Sequence, residues 1–519
     1  MPEFSDLETL IRTRAVRHPD ATWLLWRDER YSWRDVLSAA QRVANGLVER
    51  GIAPGDRVAL LLPNRPEFLW AHFGVLFAGA LSVPVNISQR GAVLEHILRD
   101  SDAKLAIFAE ELRDPVLRAA ESCPDLAELV VLGTTRDTAV RHTFDDLLSA
   151  PDRPLGLAEH ERRGGVGIMY TSGTTGPPKG VVATGYDFGA LSLLLQAAGI
   201  RPGETMYTPL PLYHGNALVV SAIGSMLADA RLALGERFSA SRFWDECRRY
   251  EAVEFNALGG MIPILLKAPE KPSDADNPVR VVLSAGAPGD ERWTRFERRF
   301  GVRLIEWFGM VDAPGNLLNT EGRVGSMGKP VPGVEFRVVD ERGEPVGPGV
   351  VGELVFRHSR GRLTYYHKNP ELTEAAYAGG WFHSGDLAEV DEDGFFYYRG
   401  RKKESMRRRG ENISAWEVES VFNRHPRVRE SAAFGVPSEL GEDEVMVVVV
   451  PNGEPPDPVE LVEWCRGRLA YYAVPRYIEI VESLPKTDTQ RIRYADLKAR
   501  GRTEATWDRE AAGVVVERS

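Results

Sequence analysis

The stretch Tyr170-Thr-Ser-Gly-Thr-Thr-Gly-Pro-Pro-Lys-Gly180 gathers hydroxyls, glycines and one lysine into a single loop. That composition suits a polyphosphate. Gly173 and Gly176 allow positive φ and let backbone N–H groups come close to an anion. Thr171, Ser172, Thr174 and Thr175 add hydroxyl donors, and Lys179 adds a mobile positive charge. The loop is not a Walker sequence, because no Gly-x-x-x-x-Gly-Lys-Ser/Thr is present.

Six further segments carry polar or small residues in a fixed order. These are Leu210-Pro-Leu-Tyr-His214, Ser284-Ala-Gly-Ala-Pro288, Glu306-Trp-Phe-Gly-Met-Val-Asp312, Trp381-Phe-His-Ser-Gly-Asp386, Gly400-Arg-Lys-Lys-Glu404 and Leu484-Pro-Lys-Thr-Asp-Thr-Gln-Arg-Ile-Arg493. Small residues at Gly286 and Ala287 permit a flat ligand to approach the backbone. A carboxylate such as Asp386 can accept two hydroxyl hydrogen bonds at once.

Together with the hydroxyl-rich loop, these segments resemble the adenylate-forming superfamily of acyl-CoA synthetases, adenylation domains and luciferases. The style of the motifs is most similar to the crotonobetaine/carnitine–CoA ligase-like group. The resemblance covers nearly the whole chain. It implies an ATP- and Mg²⁺-dependent ligase in which a carboxylic acid attacks the α-phosphate and a CoA thiol then displaces AMP. Under that resemblance the loop holds the ATP phosphates and His214 borders the acyl pocket. Gly286, Ala287, Pro288, Trp307, Phe308, Gly309 and Met310 lie along the adenine, with Phe308 able to stack on it. Asp386 and Arg401 take the ribose, Lys402–Lys403 form a hinge, and Gly410 sits beside the pantetheine arm with Arg407–Arg409 near CoA phosphates.

Three positions depart from the family pattern. Val311 stands where a threonine is expected near the α-phosphate and can donate no hydrogen bond. Asp312 stands where the pattern has a glutamate for Mg²⁺; it remains a hard oxygen ligand with a shorter reach. Arg491 stands at the catalytic lysine of the lid, a planar fork in place of a point charge. Lys486 is read as the motif's ordinary lysine. The resemblance therefore leaves two alternatives open. One is an adenylating enzyme with a non-CoA acceptor or another oxyacid, such as nitrite in the diazotisation of an aryl amine. The other is a nucleotide-binding pseudoenzyme.

A chain of 519 residues exceeds one core and predicts more than one domain. A net charge of -11 argues against non-specific nucleic-acid binding. Cys123, Cys247 and Cys465 show no metal-ligand spacing and read as reduced, buried thiols of a cytoplasmic protein. The apolar stretch Phe68 to Val85 is broken by His72, Gly74, Gly79 and Pro84, so it reads as a buried helix turning into a strand, not a membrane span. The partners expected are a small-molecule acid and CoA or another acceptor, and a homodimer is one assembly open to the chain.

The elements that position these segments follow from periodicity. Apolar runs at Val58–Leu62, Leu105–Phe108, Leu129–Val131, Gly167–Tyr170 and Val279–Ser284 alternate with helical stretches such as Trp33–Arg50 and Pro66–Ala78. That alternation predicts a doubly wound α/β architecture of buried parallel strands. Val334–Phe356 reads as a small antiparallel element. Residues 1–400 are assigned to an N-terminal domain with the ATP and acyl sites, and 401–519 to a mobile α+β lid. The lid is read as a helix Ala415–Asn423, strands Glu430–Gly435 and Val445–Val450, and a helix Pro458–Leu469, followed from about Gly501 by a loosely ordered tail.

Overall fold

Amphipathic helices and short β-branched runs alternate along the first three hundred residues, and the computed structural model assembles them into two large sheets. It describes residues 4–134, 140–157, 165–171, 177–258, 260–286, 289, 291–402, 405–408, 411–437, 443–466, 468–469, 473–487 and 490–516. The chain is mixed α/β, with a large N-terminal part and a smaller C-terminal one.

One sheet has the spatial order Lys329–Pro330, Leu317–Leu318, Arg303–Phe308, Val281–Ala285, Ala252–Leu258, Thr205–Thr208, Arg231–Leu234, Thr22–Trp26 and Glu29–Ser32. Its central strands, from Arg303–Phe308 to Thr22–Trp26, are parallel. The other runs Thr364–Tyr366, Lys179–Ala183, Gly167–Thr171, Leu81–Pro84, Arg57–Leu61, Ala103–Ala109, Glu128–Leu132 and His142–Thr143. Parallel strands buried on both faces need no polar alternation, which is why they read as continuous apolar runs.

Helices Trp33–Glu49 and Pro66–Phe77 cover these sheets. The first begins at a capping box in which Ser32 and Asp35 satisfy each other's backbone N–H. The two helices pack closely at Gly74, where a Cβ would lie 2.4 Å from Val43 Cγ1. The Phe68–Val85 stretch is nearly all of the second helix followed by the strand Leu81–Pro84, as its breaks predict. Among the described residues no helix is long and apolar enough to cross a membrane. The three cysteines are buried and free, and burial pushes the Cys465 thiol up to about 12.

Compactness divides the chain into Met1–Gly173, Pro177–Glu335 and Arg357–Gly380 on one side, and Phe336–Phe356 with Trp381–Ser519 on the other. The small antiparallel element is larger than expected: Val334–Val339 and Gly352–His358 continue into Phe382–Val390 and Phe396–Arg401 as one four-stranded sheet. The boundary expected at residue 400 remains a proposal.

In the C-terminal region, helix Ala415–Phe422 precedes the paired strands Val428–Pro437 and Asp443–Pro451, and helix Pro458–Cys465 follows. The tail corrects an expectation. Trp507–Asp508 adds a strand to Tyr477–Ile480, and Arg509 behind it is buried. Two residues of strand leave too short a pattern to read as periodicity.

Candidate active site

The strands Gly167–Thr171 and Lys179–Ala183 form an antiparallel hairpin, with Tyr170 opposite Gly180 and Thr171 opposite Lys179. Gly167–Thr171 is therefore a mixed strand, parallel to its neighbour only at Ser82–Gly167, where an all-parallel one was expected. The hydroxyl-rich loop is the connection of this hairpin. Ser172, Gly173, Thr174, Thr175 and Gly176 lie outside the described residues. Both ends are held: the Tyr170 hydroxyl donates to Asp100 Oδ2 at 2.7 Å, and His96 Nε2 donates to the Pro178 carbonyl at 2.8 Å.

On its other edge, the strand carrying Lys179 pairs with Thr364–Tyr366, in the register Val181 to Tyr366. That short strand brings two residues the sequence reading missed. The Tyr366 hydroxyl donates to Asp312 Oδ1 at 2.9 Å, and Thr364 Oγ1 donates to the Asp312 carbonyl at 2.6 Å. Lys179 Nζ lies 5.9 Å from the centre of the Tyr366 ring, within cation–π range. Burial and the Asp312 charge push the Tyr366 phenol well above its ordinary value, so it stays a donor.

A third segment meets this group at Gly215, the residue after His214. A Cβ built on Gly215 would lie 3.5 Å from Val311 Cγ2 and 3.6 Å from Met169 Sδ. The hairpin strand, the His214 turn and the Val311–Asp312 turn thus converge. Beyond Gly215 the chain enters a π-helix, Asn216–Ile223, which nothing in the sequence pattern announced.

The segments expected along the adenine lie at the ends of neighbouring parallel strands, Val281–Ala285 and Arg303–Phe308, with Ser284 opposite Glu306. Glu306 Oε1 accepts the Gly286 N–H at 2.6 Å and so fixes the turn; Gly286 has φ +92°. Ala287 and Pro288 lie outside the described residues. Phe308 pairs with Leu317, and its carbonyl accepts from Asn316 Nδ2 at 3.3 Å. Gly309 is boxed in, because a Cβ there would sit 2.6 Å from Trp307 Cζ3 and 2.8 Å from Asn316 Nδ2. Gly309→Ala is expected to destabilise the protein by about 1–3 kcal/mol through overpacking. A denaturant midpoint equal to that of the parent protein would show that Trp307 and Asn316 yield freely.

In the second unit, Asp386 and Arg401 are opposite each other on adjacent strands, and Arg401 Nε meets Asp386 Oδ1 at 2.7 Å. Asp386 is 1% exposed, and its N–H donates to Ser384 Oγ at 3.0 Å. Lys402 pairs with Glu353 at 2.7 Å, and His383 approaches the same oxygen at 3.3 Å. Burial alone would raise the Glu353 carboxyl, but these two partners outweigh it and hold it below the usual range.

Arg491 is exposed on a turn closed by its own backbone: Thr487 N–H donates to the Arg491 carbonyl at 2.8 Å, and Arg491 N–H donates to Thr487 Oγ1 at 3.1 Å. Lys486 is committed elsewhere, in an ion pair with Glu430. Gly410 lies outside the described residues. Arg408 is buried, pairing with Glu444 at 2.7 Å and donating to the Val474 carbonyl. Arg408 is therefore an internal contact of the C-terminal region and not a surface contact for CoA phosphates, which corrects the reading of that one residue of the basic run.

The model of the AMP-binding enzyme family matches residues 11–366, and that of the AMP-binding enzyme C-terminal domain matches 417–491. This chain belongs to the AMP-binding enzyme family. It is 32% identical to a sulfoacetate–CoA ligase of Cupriavidus necator over 93% of this chain and 95% of the relative. It is also 32% identical to an oxalate–CoA ligase of Arabidopsis thaliana, over 87% of this chain and 90% of the relative. A crotonobetaine/carnitine–CoA ligase of Salmonella agona is 30% identical over 90% and 93%. Among solved structures, an anthranilate CoA ligase in complex with anthranoyl-AMP superposes with a TM-score of 0.86 at 26% identity, covering 96% of this chain and 98% of that one.

For this AMP-binding enzyme, the structure gathers Lys179, Asp312, Val311 and the His214 turn in one neighbourhood. It places Gly286, Trp307, Phe308, Gly309 and Met310 at and just beyond adjacent strand ends. Asp386 with Arg401, and Arg491, belong to the second unit. Tyr366 and Thr364 were missed because their place depends on tertiary strand pairing. Their only local trace is the β-prone Thr364-Tyr-Tyr366.

Proposed function

We propose that this AMP-binding enzyme is an AMP-forming acid–thiol ligase. A substrate carboxylate oxygen attacks the α-phosphorus of ATP, forming the acyl–phosphate bond as the bond to pyrophosphate breaks. The sulfur of CoA then attacks the acyl carbon, the thiol proton is lost, and AMP leaves. The observation that carries this reading is the hairpin that sets Lys179 beside Tyr366, which in turn holds Asp312. The named relatives are CoA ligases, which supports the thiol acceptor.

Catalysis here rests on positioning and charge. Lys179 and the loop hydroxyls hold phosphate oxygens, and Arg491 meets the charge that develops on the α-phosphate. Asp386 and Arg401 take the ribose, His214 borders the acyl chain, and residues after 400 turn as a lid about Lys402. The Asp312 carboxylate fits Mg²⁺: it is a hard oxygen donor with Oδ1 oriented by Tyr366, and such a site needs only one carboxylate alongside substrate phosphates. Mg²⁺ bound there would neutralise phosphate charge. Val311 donates nothing at this point, so more of the stabilisation falls on Lys179 and Arg491.

Pyrophosphate release across a panel of carboxylic acids, with and without CoA, tests the reading. Acid-dependent release followed by CoA-dependent loss of the acyl-adenylate is expected. Release with nitrite and an aryl amine, but with no carboxylate, overturns it. So does AMP binding without release from any acid.

Tyr366→Phe removes the donor that orients Asp312. A hydrogen bond to a charged group is worth roughly 1.5–3 kcal/mol. The variant is therefore expected to need about tenfold more Mg²⁺ for half-maximal release, with little change in melting temperature. An unaltered Mg²⁺ dependence would remove Tyr366 from this role.

A further inference from the structure

The π-helix Asn216–Ile223 packs against the strand Ala252–Leu258, and the contact carries buried polar atoms with no partner among the described residues. Asn256 Nδ2 donates to Ser221 Oγ at 2.6 Å, so the face of the strand bearing residues 254, 256 and 258 looks at the helix. Both Glu254 oxygens, Asn256 Oδ1 and both Asn216 amide atoms are buried with no hydrogen-bond partner among the described residues. Glu254 and Asn256 are 0% exposed. Burial lifts the Glu254 carboxyl well above the usual carboxylate range. Each such group costs about 1–3 kcal/mol when left unpaired, so a row of them is expensive unless something fills it.

The row leads inward from the candidate site. Asn216 follows Gly215, which lies against Val311 and Met169. Two residues of strand advance the chain by about 6.6 Å, so Glu254 lies one such step deeper than Asn256. The unmet groups are Asn216 Oδ1, Asn256 Oδ1 and the Glu254 carbonyl oxygen as acceptors, with the Asn216 NH₂ and the hydroxyl of the protonated Glu254 as donors.

We propose that this polar face is the inner wall of the acyl site and selects carboxylic acids bearing an amino or hydroxyl group at the end remote from the carboxylate. The proposal rests on the ligase reading and names its substrate class. A wall of buried, unpaired polar groups rejects a methyl group far more strongly than an apolar wall rejects a hydroxyl, because the methyl leaves those groups unpaired.

The test uses matched acids differing only at the distal group, with pyrophosphate release as the readout: 4-aminobutanoate and 4-hydroxybutanoate against pentanoate, and 3-aminobenzoate against 3-methylbenzoate. The full-length protein is expected to favour the donor-bearing acid in at least one series by tenfold or more in kcat/KM. Glu254→Leu and Asn256→Leu are each expected to bring that ratio towards one. AMP-induced thermal stabilisation reports that each variant is folded, and Glu254→Gln, which keeps the shape, serves if leucine disrupts the core. A ratio near one in both series for the parent protein overturns the proposal, as does a ratio that both leucine variants leave intact. Those results leave the ligase reading standing, whereas no release from any acid overturns the two together.

Discussion

Replacing Arg491 by lysine is expected to preserve or raise the rate of pyrophosphate release, and replacing it by alanine is expected to lower that rate by about a hundredfold. The larger number is the usual effect of removing one preorganised donor aimed at developing charge. The asymmetry follows from side-chain chemistry. Lysine and arginine carry the same charge, but the guanidinium is planar and fork-shaped, while the ammonium is compact and adapts to one oxygen. The Thr487–Arg491 turn is held by backbone and hydroxyl hydrogen bonds, so the scaffold survives either change. Lys486 cannot stand in, because Glu430 holds it. Rapid-quench measurement of pyrophosphate separates this step from thioester formation, which can be followed from supplied acyl-adenylate. A collapse of the first step with lysine would mean that the fork itself grips two oxygens at once.

Asp386→Ala is expected to weaken ATP and AMP binding by roughly 10–100-fold, the range for losing hydrogen bonds to a charged acceptor. The side chain is almost fully buried and already fixed by Arg401, so its oxygens are oriented before any nucleotide arrives. That preorganisation is why the effect belongs in binding and not in turnover. Asp386→Asn keeps the shape and is expected to fall between the two. Calorimetric titration with AMP gives the answer directly, and an affinity equal to the parent's would remove Asp386 from the ribose.

The parts of the candidate site that the sequence suggests are those carried by contiguous residues. The hydroxyl-rich loop, the Glu306–Asp312 segment and the Trp381–Asp386 segment each hold their chemistry within a few positions. The parallel strands were legible for a related reason, since burial on both faces leaves an unbroken apolar run. What escaped depends on partners distant in sequence. Tyr366 acquires its place only by pairing with Val181. Glu254, one acid within Ala252–Leu258, has the appearance of an ordinary alternating strand residue until the π-helix covers it. Arg408 misled because a basic run is usually solvated, and only Glu444, brought in by a later strand, shows otherwise.

The three-residue strand Thr364–Tyr366 also bears on how the chain is made. It caps one edge of its sheet, covering Lys179–Ala183, whose Val181 and Val182 are buried. A ribosome delivers the hairpin long before it delivers this cap. Through that interval the nascent chain presents an apolar strand with an unpaired edge, the surface on which wrong chains add. The residues that complete the proposed catalytic neighbourhood are thus also those that cover this strand edge, and a chain ended before them is expected to lose activity and solubility by one cause.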